Sequence, residues 1–314
     1  MIKLQKNVSR SKLMEVVANL PKCLIGMESC GGSNFWAREF KKMGHEVKIM
    51  AAQFVKPYVK SNKNDMADAE AICEAVSRPN MRFVPIKQIE HQDIQCVHRV
   101  RARLIKSRTA LVNEIRGLLL EYGIAIPKSV SQLRNHIPEI LESSENQLMS
   151  MSRQVFSELY EEFQTLDKRI DKSNDQISRI HSTHPVCRRL SKIPGVGILT
   201  ATAILAALPE PTTFKSGRQV SAWLGLVPKQ HSSGGKDRLL GISKRGDVYL
   251  RWLLIYGARA SIRWIDKKED WRSIWLKDLI DRRGKNRAAV ALANKNARMI
   301  WAILTKEVEY DVTA

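Results

Sequence analysis

The chain has 314 residues, 44% of them hydrophobic, and carries 52 lysines and arginines against 32 acids, a formal charge of +20. This charge predicts a polyanionic partner. Nucleic acid is favoured over a membrane, because no apolar run approaches the roughly 20 residues that span a bilayer. We therefore expect a soluble, intracellular protein. The five cysteines are scattered and form no CxxC pair, which argues against a disulfide framework and a zinc site.

The first third of the chain alternates between helical and strand patterns. The spacing of apolar residues predicts a helix over 9–20, a strand over 23–27, a helix over 35–43 and a strand over 45–50. Gly44 lies where the second helix should end. This alternation is typical of an α/β domain in which helices connect parallel strands.

Two acids, Asp65 and Asp68, open a helix predicted over 65–76. Residues three apart lie on one helical face, so the two carboxylates can share a divalent cation, and the positive end of the helix dipole favours them there. Glu28 follows the first apolar strand. On its own Glu28 would be an ordinary strand-end acid, but together with Asp65 and Asp68 it predicts a metal site.

A long helical region follows Pro85, and its polar side is strongly basic. Four of its arginines are candidate nucleic-acid contacts: Arg99, Arg101, Arg103 and Arg108. Apolar residues then recur at three- and four-residue intervals between 129 and 182, which predicts a pair of long helices. These helices would form a coiled coil that either spaces two domains or joins two chains.

The segment Pro194-Gly195-Val196-Gly197 lies between two predicted helices. Such a turn is typical of a helix-hairpin-helix, in which Gly195 and Gly197 let the backbone approach phosphate oxygens. The alternative is a helix-helix turn that needs a positive φ at glycine.

Ser232 and Ser233 precede a pair of glycines in a flexible, hydroxyl-bearing segment. A serine there would meet a phosphate among cations, although such a segment is also typical of a solvent loop. Because a serine hydroxyl is a weak nucleophile, catalysis would need neighbouring cations or a base. The nearby candidates are His231, Lys236, Lys244 and Arg245, and Lys229, Lys236, Lys244 and Arg245 are also candidate nucleic-acid contacts.

Two further features lie near the C-terminus. Arg282, Arg283 and Lys285 form a basic turn that is a candidate phosphate contact. Five tryptophans recur in helical segments, and we expect most of them to be core residues rather than base-stacking platforms. They are Trp252, Trp264, Trp271, Trp275 and Trp301.

Several of these segments together closely resemble transposases of the insertion sequence 110 family, in particular the branch named for insertion sequence 1111. The resemblance covers nearly the whole chain and keeps the family's order. The segments are 26–32 (GMESCGG), 54–60 (FVKPYVK), 63–69 (KNDMADA), 193–197 (IPGVG), 223–228 (WLGLVP) and 232–236 (SSGGK).

The resemblance implies an α/β plus α architecture. Residues 1–95 would form an RNase H-like domain similar to Holliday-junction resolvases. Residues 96–183 would form the helical coiled coil, and 184–314 a mainly helical transposase domain with the helix-hairpin-helix-like motif. The protein would act as a multimer, either a dimer or a tetramer, on the DNA of the element ends and of the target site. It would be guided by an RNA encoded by the element and would work in the bacterial cytoplasm, at the nucleoid.

In this family four acids bind Mg²⁺ and a serine forms a transient covalent link to DNA. By position, Glu28, Asp65 and Asp68 match the second, third and fourth acids. Ser233 matches the nucleophile, with Ser232 as its rival.

The family's first acid, which lies on an opening strand, has no counterpart before Ser9. We therefore expect a chain shortened at its N-terminus, by a late start codon or by decay, that binds nucleic acid but recombines poorly or not at all. Two other readings stay open: a metal-dependent junction nuclease without a serine step, and a remnant that binds nucleic acid without catalysis.

Overall fold

The computed structural model describes residues 8–60, 64–306 and 308–311. The chain divides into two compact units, residues 1–89 and residues 90–314. Lys63, which belongs to one of the family-like segments, and residues 1–7, which bear on the expected shortening, lie outside the described residues.

The first unit is an α/β structure with a three-stranded sheet in the order β1-β2-β3. Strands β1 and β2 are parallel and β3 is antiparallel to β2, and a parallel pair needs a crossover, which α2 supplies. The predicted alternation is confirmed, although the first helix begins later than expected. The elements are α1 (Leu13–Ala18), β1 (Leu24–Glu28), α2 (Ser33–Lys42), β2 (Glu46–Met50), α3 (Ala52–Val55), α4 (Asp65–Val76) and β3 (Phe83–Val84).

Helix α4 packs closely against strand β1 at Gly26. A Cβ atom built at Gly26 would lie 3.0 Å from Cβ of Val76 and 3.2 Å from Cγ2 of Ile72. Only glycine at position 26 leaves room for this close approach between the helix and the strand. Ala71 and Ala75 are completely buried in the core of this unit, together with Met50.

The second unit is mainly helical and contains one small β-hairpin. Its helices are α5 (Ile89–Leu120), α6 (Val130–Glu142), α7 (Ser150–Thr183), α8 (Pro185–Leu190), α9 (Ile198–Ala207), α10 (Gly217–Trp223), α11 (Val248–Ile262), α12 (Trp271–Arg283) and α13 (Lys285–Lys306). The hairpin strands are β4 (Pro228–Gln230) and β5 (Leu239–Ile242).

The predicted pair of long helices is confirmed as α6 and α7, and its partner is α5 of the same chain. Phe163, Leu166 and Ile170 of α7 are buried in one cluster with residues of α5 and α6. The prediction that this apolar face joins two chains is therefore wrong for these residues, because α5 already covers them.

A second apolar cluster lies among the C-terminal helices, where α9 is almost entirely buried. The expectation that most tryptophans are core residues is wrong. Trp252, Trp264 and Trp271 are 48%, 58% and 41% exposed. In α11 the reason is that Leu250 and Leu254 lie on the face that enters the core.

The predicted class, α/β followed by α, is confirmed in its coarse form. Residues 96–183 pack in the same compact unit as residues 184–314. The RNase H-like description of the first unit and the three domain boundaries stay predictions. No helix among the described residues has the length and apolar character to cross a membrane.

Candidate functional site

Glu28 is the last residue of β1 and is half-buried. The next residue, Ser29, donates its backbone N–H to the carbonyl oxygen of Met50 at 2.7 Å, which holds the end of β1 against β2. Glu28 and Gly26 are two residues apart and therefore share one face of the strand. Since α4 packs on Gly26, Glu28 is on the face that the helix covers.

The first turn of α4 places the two predicted aspartates differently. Asn64 caps the helix, its side-chain oxygen accepting the N–H of Ala67 at 2.7 Å. Asp65 is exposed and Asp68 is half-buried. Asp68 lies one turn before Ile72, on the row of the helix that contacts β1. Spacing alone therefore places Asp68 and Glu28 on the rows of α4 and β1 that contain these contacts, whereas Asp65 is exposed at the start of the helix.

The chemistry of these donors fits Mg²⁺, because carboxylate oxygens are the ligands that this hard cation prefers. The side chains do not converge into a complete ligand set: no group of three or more His, Cys, Asp or Glu residues in the described part of the chain is placed to hold a metal ion. Metal binding by Glu28, Asp65 and Asp68 thus stays a prediction.

The two candidate serines lie at the tip of the hairpin formed by β4 and β5. Gly234 and Gly235 have φ values of +57° and +74°, which is typical of the tight two-residue turn that closes a hairpin. The backbone N–H of Lys236 donates to the carbonyl oxygen of Ser233 at 3.1 Å across this turn. Every residue from 228 to 241 is exposed, so a large partner has access to both hydroxyl groups.

Hydrogen bonding distinguishes the two serines. The Ser232 hydroxyl donates to Oδ1 of Asp237 at 2.9 Å and accepts from Nε2 of Gln230 at 2.9 Å. Ser233 occupies the first position of the glycine turn, and its hydroxyl has no hydrogen bond to the residues that the structure describes. Ser232 is therefore held within the hairpin, whereas Ser233 presents its hydroxyl to solvent.

At the base of the hairpin, two backbone turns cross in close contact. Gly225 and Gly246 have φ values of +71° and +79°. A Cβ atom at Gly225 would overlap the backbone of Arg245, and one at Gly246 would overlap the carbonyl oxygen of Trp223. Buried Arg251 of α11 joins the two turns, donating to the carbonyl oxygens of Leu224 at 3.0 Å and Arg245 at 2.9 Å.

Four cations predicted to contact nucleic acid surround the serines along the chain, and all of them are exposed: Lys229, Lys236, Lys244 and Arg245. Lys244 has a φ of +55°, a conformation that is rare for a residue with a side chain. The crossing of the two turns holds Lys244 there, since its N–H donates to the carbonyl oxygen of Gly225 at 3.2 Å.

The turn at Pro194 connects α8 with α9 and is fixed from several sides. The carbonyl oxygen of Pro194 accepts hydrogen bonds from Arg272 at 2.8 Å and Asn296 at 3.1 Å, both buried. Gly195 has a φ of +91° and packs directly on the backbone of Gly257. This packing accounts for glycine at 195, while Gly197 is exposed at the N-terminus of α9. Phosphate binding by either glycine stays a prediction.

The four arginines of α5 that are candidate nucleic-acid contacts fall into two groups. Arg101 donates through Nε to Oδ1 of Asn174 at 2.6 Å, and Arg108 pairs with Asp167 at 2.6 Å, so both connect α5 to α7. Arg99 and Arg103, one turn apart, are exposed. The side chains available to an outside partner in this set are therefore those of Arg99 and Arg103.

The predicted basic turn lies between α12 and α13. Arg283 and Lys285 are exposed, and Arg282 forms two hydrogen bonds with Asp278, at 3.0 and 2.5 Å. This pair is fully in solvent and is expected to contribute little to stability. All three cations can be approached by phosphate.

Sequence reasoning did not identify two residues that shape the serine hairpin. Asp237, which accepts the hydrogen bond of the Ser232 hydroxyl, lies two residues after Gly235, and a carboxylate within the same short segment as the serines was the available signal. Arg251 was signalled as a cation between the apolar residues Leu250 and Trp252 of α11. Such a cation must find hydrogen-bond acceptors when it is buried.

Comparison with known proteins identifies the family of this chain. Residues 187–273 match the family model for transposases of the IS116/IS110/IS902 family, and residues 5–124 match the model for DEDD transposases of IS110 elements. The chain is 48% identical to the transposase for insertion sequence element IS1111A of Coxiella burnetii, covering 97% of this chain and 84% of that protein.

Two further relatives are similar over almost the whole chain. A probable family 20 transposase of Pseudomonas aeruginosa is 47% identical, covering 98% of this chain and 91% of the relative. The transposase for insertion sequence element IS1328 of Yersinia enterocolitica is 37% identical, covering 96% and 90%. This chain therefore belongs to the IS116/IS110/IS902 family of insertion sequence transposases.

Proposed function

We propose that this transposase cuts and rejoins DNA with Ser233 as its nucleophile. The Ser233 oxygen bonds to the phosphorus of a DNA linkage, and the bond from that phosphorus to one sugar oxygen breaks. The proton lost by the serine passes to a base and the departing sugar oxygen gains one. Rejoining is the reverse reaction with a different DNA end, so phosphodiester bonds are conserved without an external energy source.

The observation that carries this proposal is the position of Ser233 at the exposed tip of a cationic hairpin whose base is closely packed. A tip of this kind reaches a DNA backbone that a recessed serine would not. Lys229 and Lys236 in the hairpin, with Lys244 and Arg245 at its base, supply positive charge where the pentavalent phosphorus gathers negative charge. Asp237 holds Ser232 in the hairpin, which supports Ser233 as the reacting residue of the two.

The acids of the first unit have a separate role in the proposal. Glu28, Asp65 and Asp68 would hold Mg²⁺, which supplies charge stabilisation to phosphate oxygens when bound. Of the three, Asp68 and Glu28 have the stronger structural support, because both are half-buried whereas Asp65 is exposed.

The proposal includes the partners that the reaction needs. Two DNA ends must be held at once, which supports an assembly of two or four copies, and an RNA from the element would select the target. The exposed cations on α5 and on the turn before α13 support binding of nucleic acid beyond the serine hairpin.

The test is covalent capture of labelled element-end DNA by the full chain, compared among the Ser233→Ala variant, the Ser232→Ala variant and the unchanged protein. We expect Ser233→Ala to lose the protein–DNA adduct and Ser232→Ala to retain it. If Ser233→Ala still cut strands in the presence of Mg²⁺, the protein would be a metal-dependent nuclease. If Ser232→Ala alone lost the adduct, the roles of the serines would be reversed.

A further inference from the structure

Aromatic rings and cations form one row along the solvent-exposed face of α11. Trp252 and Tyr256 are 48% and 50% exposed. Arg259 and Arg263 follow them at helical spacing and are also exposed. The core packing of α11 does not need these rings, because the opposite face of the helix is buried. We call Trp252, Tyr256 and Arg259 the stacking line.

The members of the stacking line are ordered by contact with one another. The ring centroids of Trp252 and Tyr256 are 4.3 Å apart with an interplanar angle of 36°. Cζ of Arg259 lies 5.6 Å from the Tyr256 centroid, and its Nη2 donates to Oδ1 of Asn286 at 3.2 Å. The guanidinium plane is thus held beside the rings, so little side-chain freedom is lost when a ligand adds to the line.

The line leads into a cationic cavity at the C-terminal end of α11. The cavity has a volume of about 730 Å³ and contains Arg259 at the point where the stacking line enters it. Three further cations line it, Arg263, Lys277 and Lys285, against two acids, Asp266 and Asp281. The excess of cations predicts an anionic occupant.

We propose that this surface binds an unpaired nucleotide strand, with bases on Trp252 and Tyr256 and phosphates at Arg263 and Lys285. The proposal rests on the proposed function, because it takes nucleic acid as the partner. An unpaired strand presents base faces and phosphates together, whereas a duplex hides its base faces inside the stack. From Trp252 to Arg263 the helix rises about 16 Å, which spans a few nucleotides.

Charge argues against a second copy of the chain as the occupant. The line ends in exposed cations on a chain of +20 formal charge, and like charges brought together across an interface oppose association. A nucleotide strand offers base faces that stack on the rings and negative charge that pairs with the cations.

The test measures binding of fluorescein-labelled oligonucleotides to the full chain by fluorescence anisotropy. The probes are an oligouridine RNA, an oligothymidine DNA and a blunt-ended DNA duplex. Trp252→Ala and Tyr256→Ala should each weaken binding of an unpaired strand about 5- to 100-fold, while duplex binding stays unchanged. Trp252→Phe, which keeps a ring, should recover most of the loss. The RNA and DNA arms show which kind of unpaired strand the surface prefers.

Tyr122→Ala is the matched control, because Tyr122 is another exposed tyrosine of this unit that contacts a second aromatic ring. It should leave all three affinities unchanged. The proposal is overturned if folded Trp252→Ala and Tyr256→Ala variants bind unpaired strands normally, or if they lose duplex binding equally. A change in molecular mass by light scattering in these variants would instead assign the surface to an interface between copies.

The outcome is separable from that of the proposed function. A protein that binds unpaired strands through Trp252 and Tyr256 but forms no serine–DNA adduct would refute the serine step and leave the stacking line standing. A protein that forms the adduct but binds unpaired strands equally well in both variants would refute the stacking line alone.

Discussion

Asp167 of α7 joins three helices, and replacing it with asparagine should destabilise the second unit. Its carboxylate accepts from Arg108 of α5 at 2.6 Å and from Arg134 of α6 at 2.5 Å. The Asp167 and Arg108 side chains are only 11% and 21% exposed, whereas Arg134 is 52% exposed. The main loss is therefore at Arg108, which would keep its charge in a half-buried position without a counter-ion.

The magnitude follows from these exposures. Breaking a fully buried ion pair costs about 3–5 kcal/mol, and an exposed pair contributes about 0–1 kcal/mol. For one largely buried and one half-exposed arginine we expect a loss of about 2–3 kcal/mol. In a unit the size of residues 90–314, this lowers the melting temperature by roughly 5–10 °C. Thermal unfolding followed by circular dichroism measures it.

The effect of pH gives an independent check on the same ion pair. Burial raises the pKa of Asp167, but hydrogen bonds from Arg134 and Arg108 outweigh it and leave the pKa below its ordinary value of 3.8. As pH falls, the unfolded carboxyl takes up its proton first, so the stabilisation is complete above about pH 4 and is lost below it. The difference between the unchanged protein and the Asp167→Asn variant should therefore be constant near neutrality and shrink in acid.

Asp175→Asn is the control, because Asp175 is an exposed aspartate of the same helix. It should change the melting temperature by about 1 °C or less, as expected for a surface substitution. The reasoning about the ion pair would be refuted if Asp167→Asn had the same melting temperature as this control. It would also be refuted if the loss of stability caused by Asp167→Asn became larger as the pH fell.

Three further predictions concern packing, a buried histidine and the serine hairpin. Gly257→Ala should strongly lower the melting temperature, because its methyl group would overlap the backbone carbonyl of Gly195. Its control is Gly117→Ala, which has open space around it and should raise the free energy of unfolding by about 0.5–1 kcal/mol. Burial lowers the pKa of His98 to about 4 from 6.5, with a smaller contribution from a nearby arginine. Between these two pH values the unfolded protein binds a proton that the folded protein does not. The free energy of unfolding, measured by urea denaturation, should therefore fall by about 3 kcal/mol from pH 6.5 to pH 4. The His98→Gln variant should show a smaller fall. Replacing Lys229 and Lys236 together by alanine should reduce the salt dependence of duplex DNA binding by roughly 0.9 per lost phosphate contact, and an unchanged slope would show that these lysines do not contact phosphate.

Much of the fold could be predicted because local patterns coincide with the elements. The helix over 65–76 is observed with the same bounds, since Asn64 caps it and small residues bury one face. The strands β1 and β2 follow from short apolar runs bounded by turns. These features depend on neighbours in sequence, which a single chain displays directly.

Long-range partners could not be predicted in the same way. The apolar face of α7 looked suited to a second chain, but α5, about 60 residues earlier, covers it, with Arg108 reaching Asp167. Trp252 looked like a core residue because its helix is apolar, and its exposure depends on which face of α11 enters the core. Periodicity defines a face but does not say what packs against it.

The roles of the candidate site residues stay predictions. Ser232 and Ser233 stand out in the sequence by their glycines and lysines, and the hydrogen bond from Ser232 to Asp237, which supports Ser233 as the reacting residue, could not be read from it. The crossing of backbone turns that supports the hairpin was invisible in sequence, because Gly225 and Gly246 are 21 positions apart.

The most direct test of the central claim is to trap the protein on element-end DNA, digest the adduct and locate the attached nucleotide by mass spectrometry. The peptide should carry the nucleotide on Ser233. Attachment to Ser232 or to any other residue, or strand cleavage without an attached peptide, would contradict the claim.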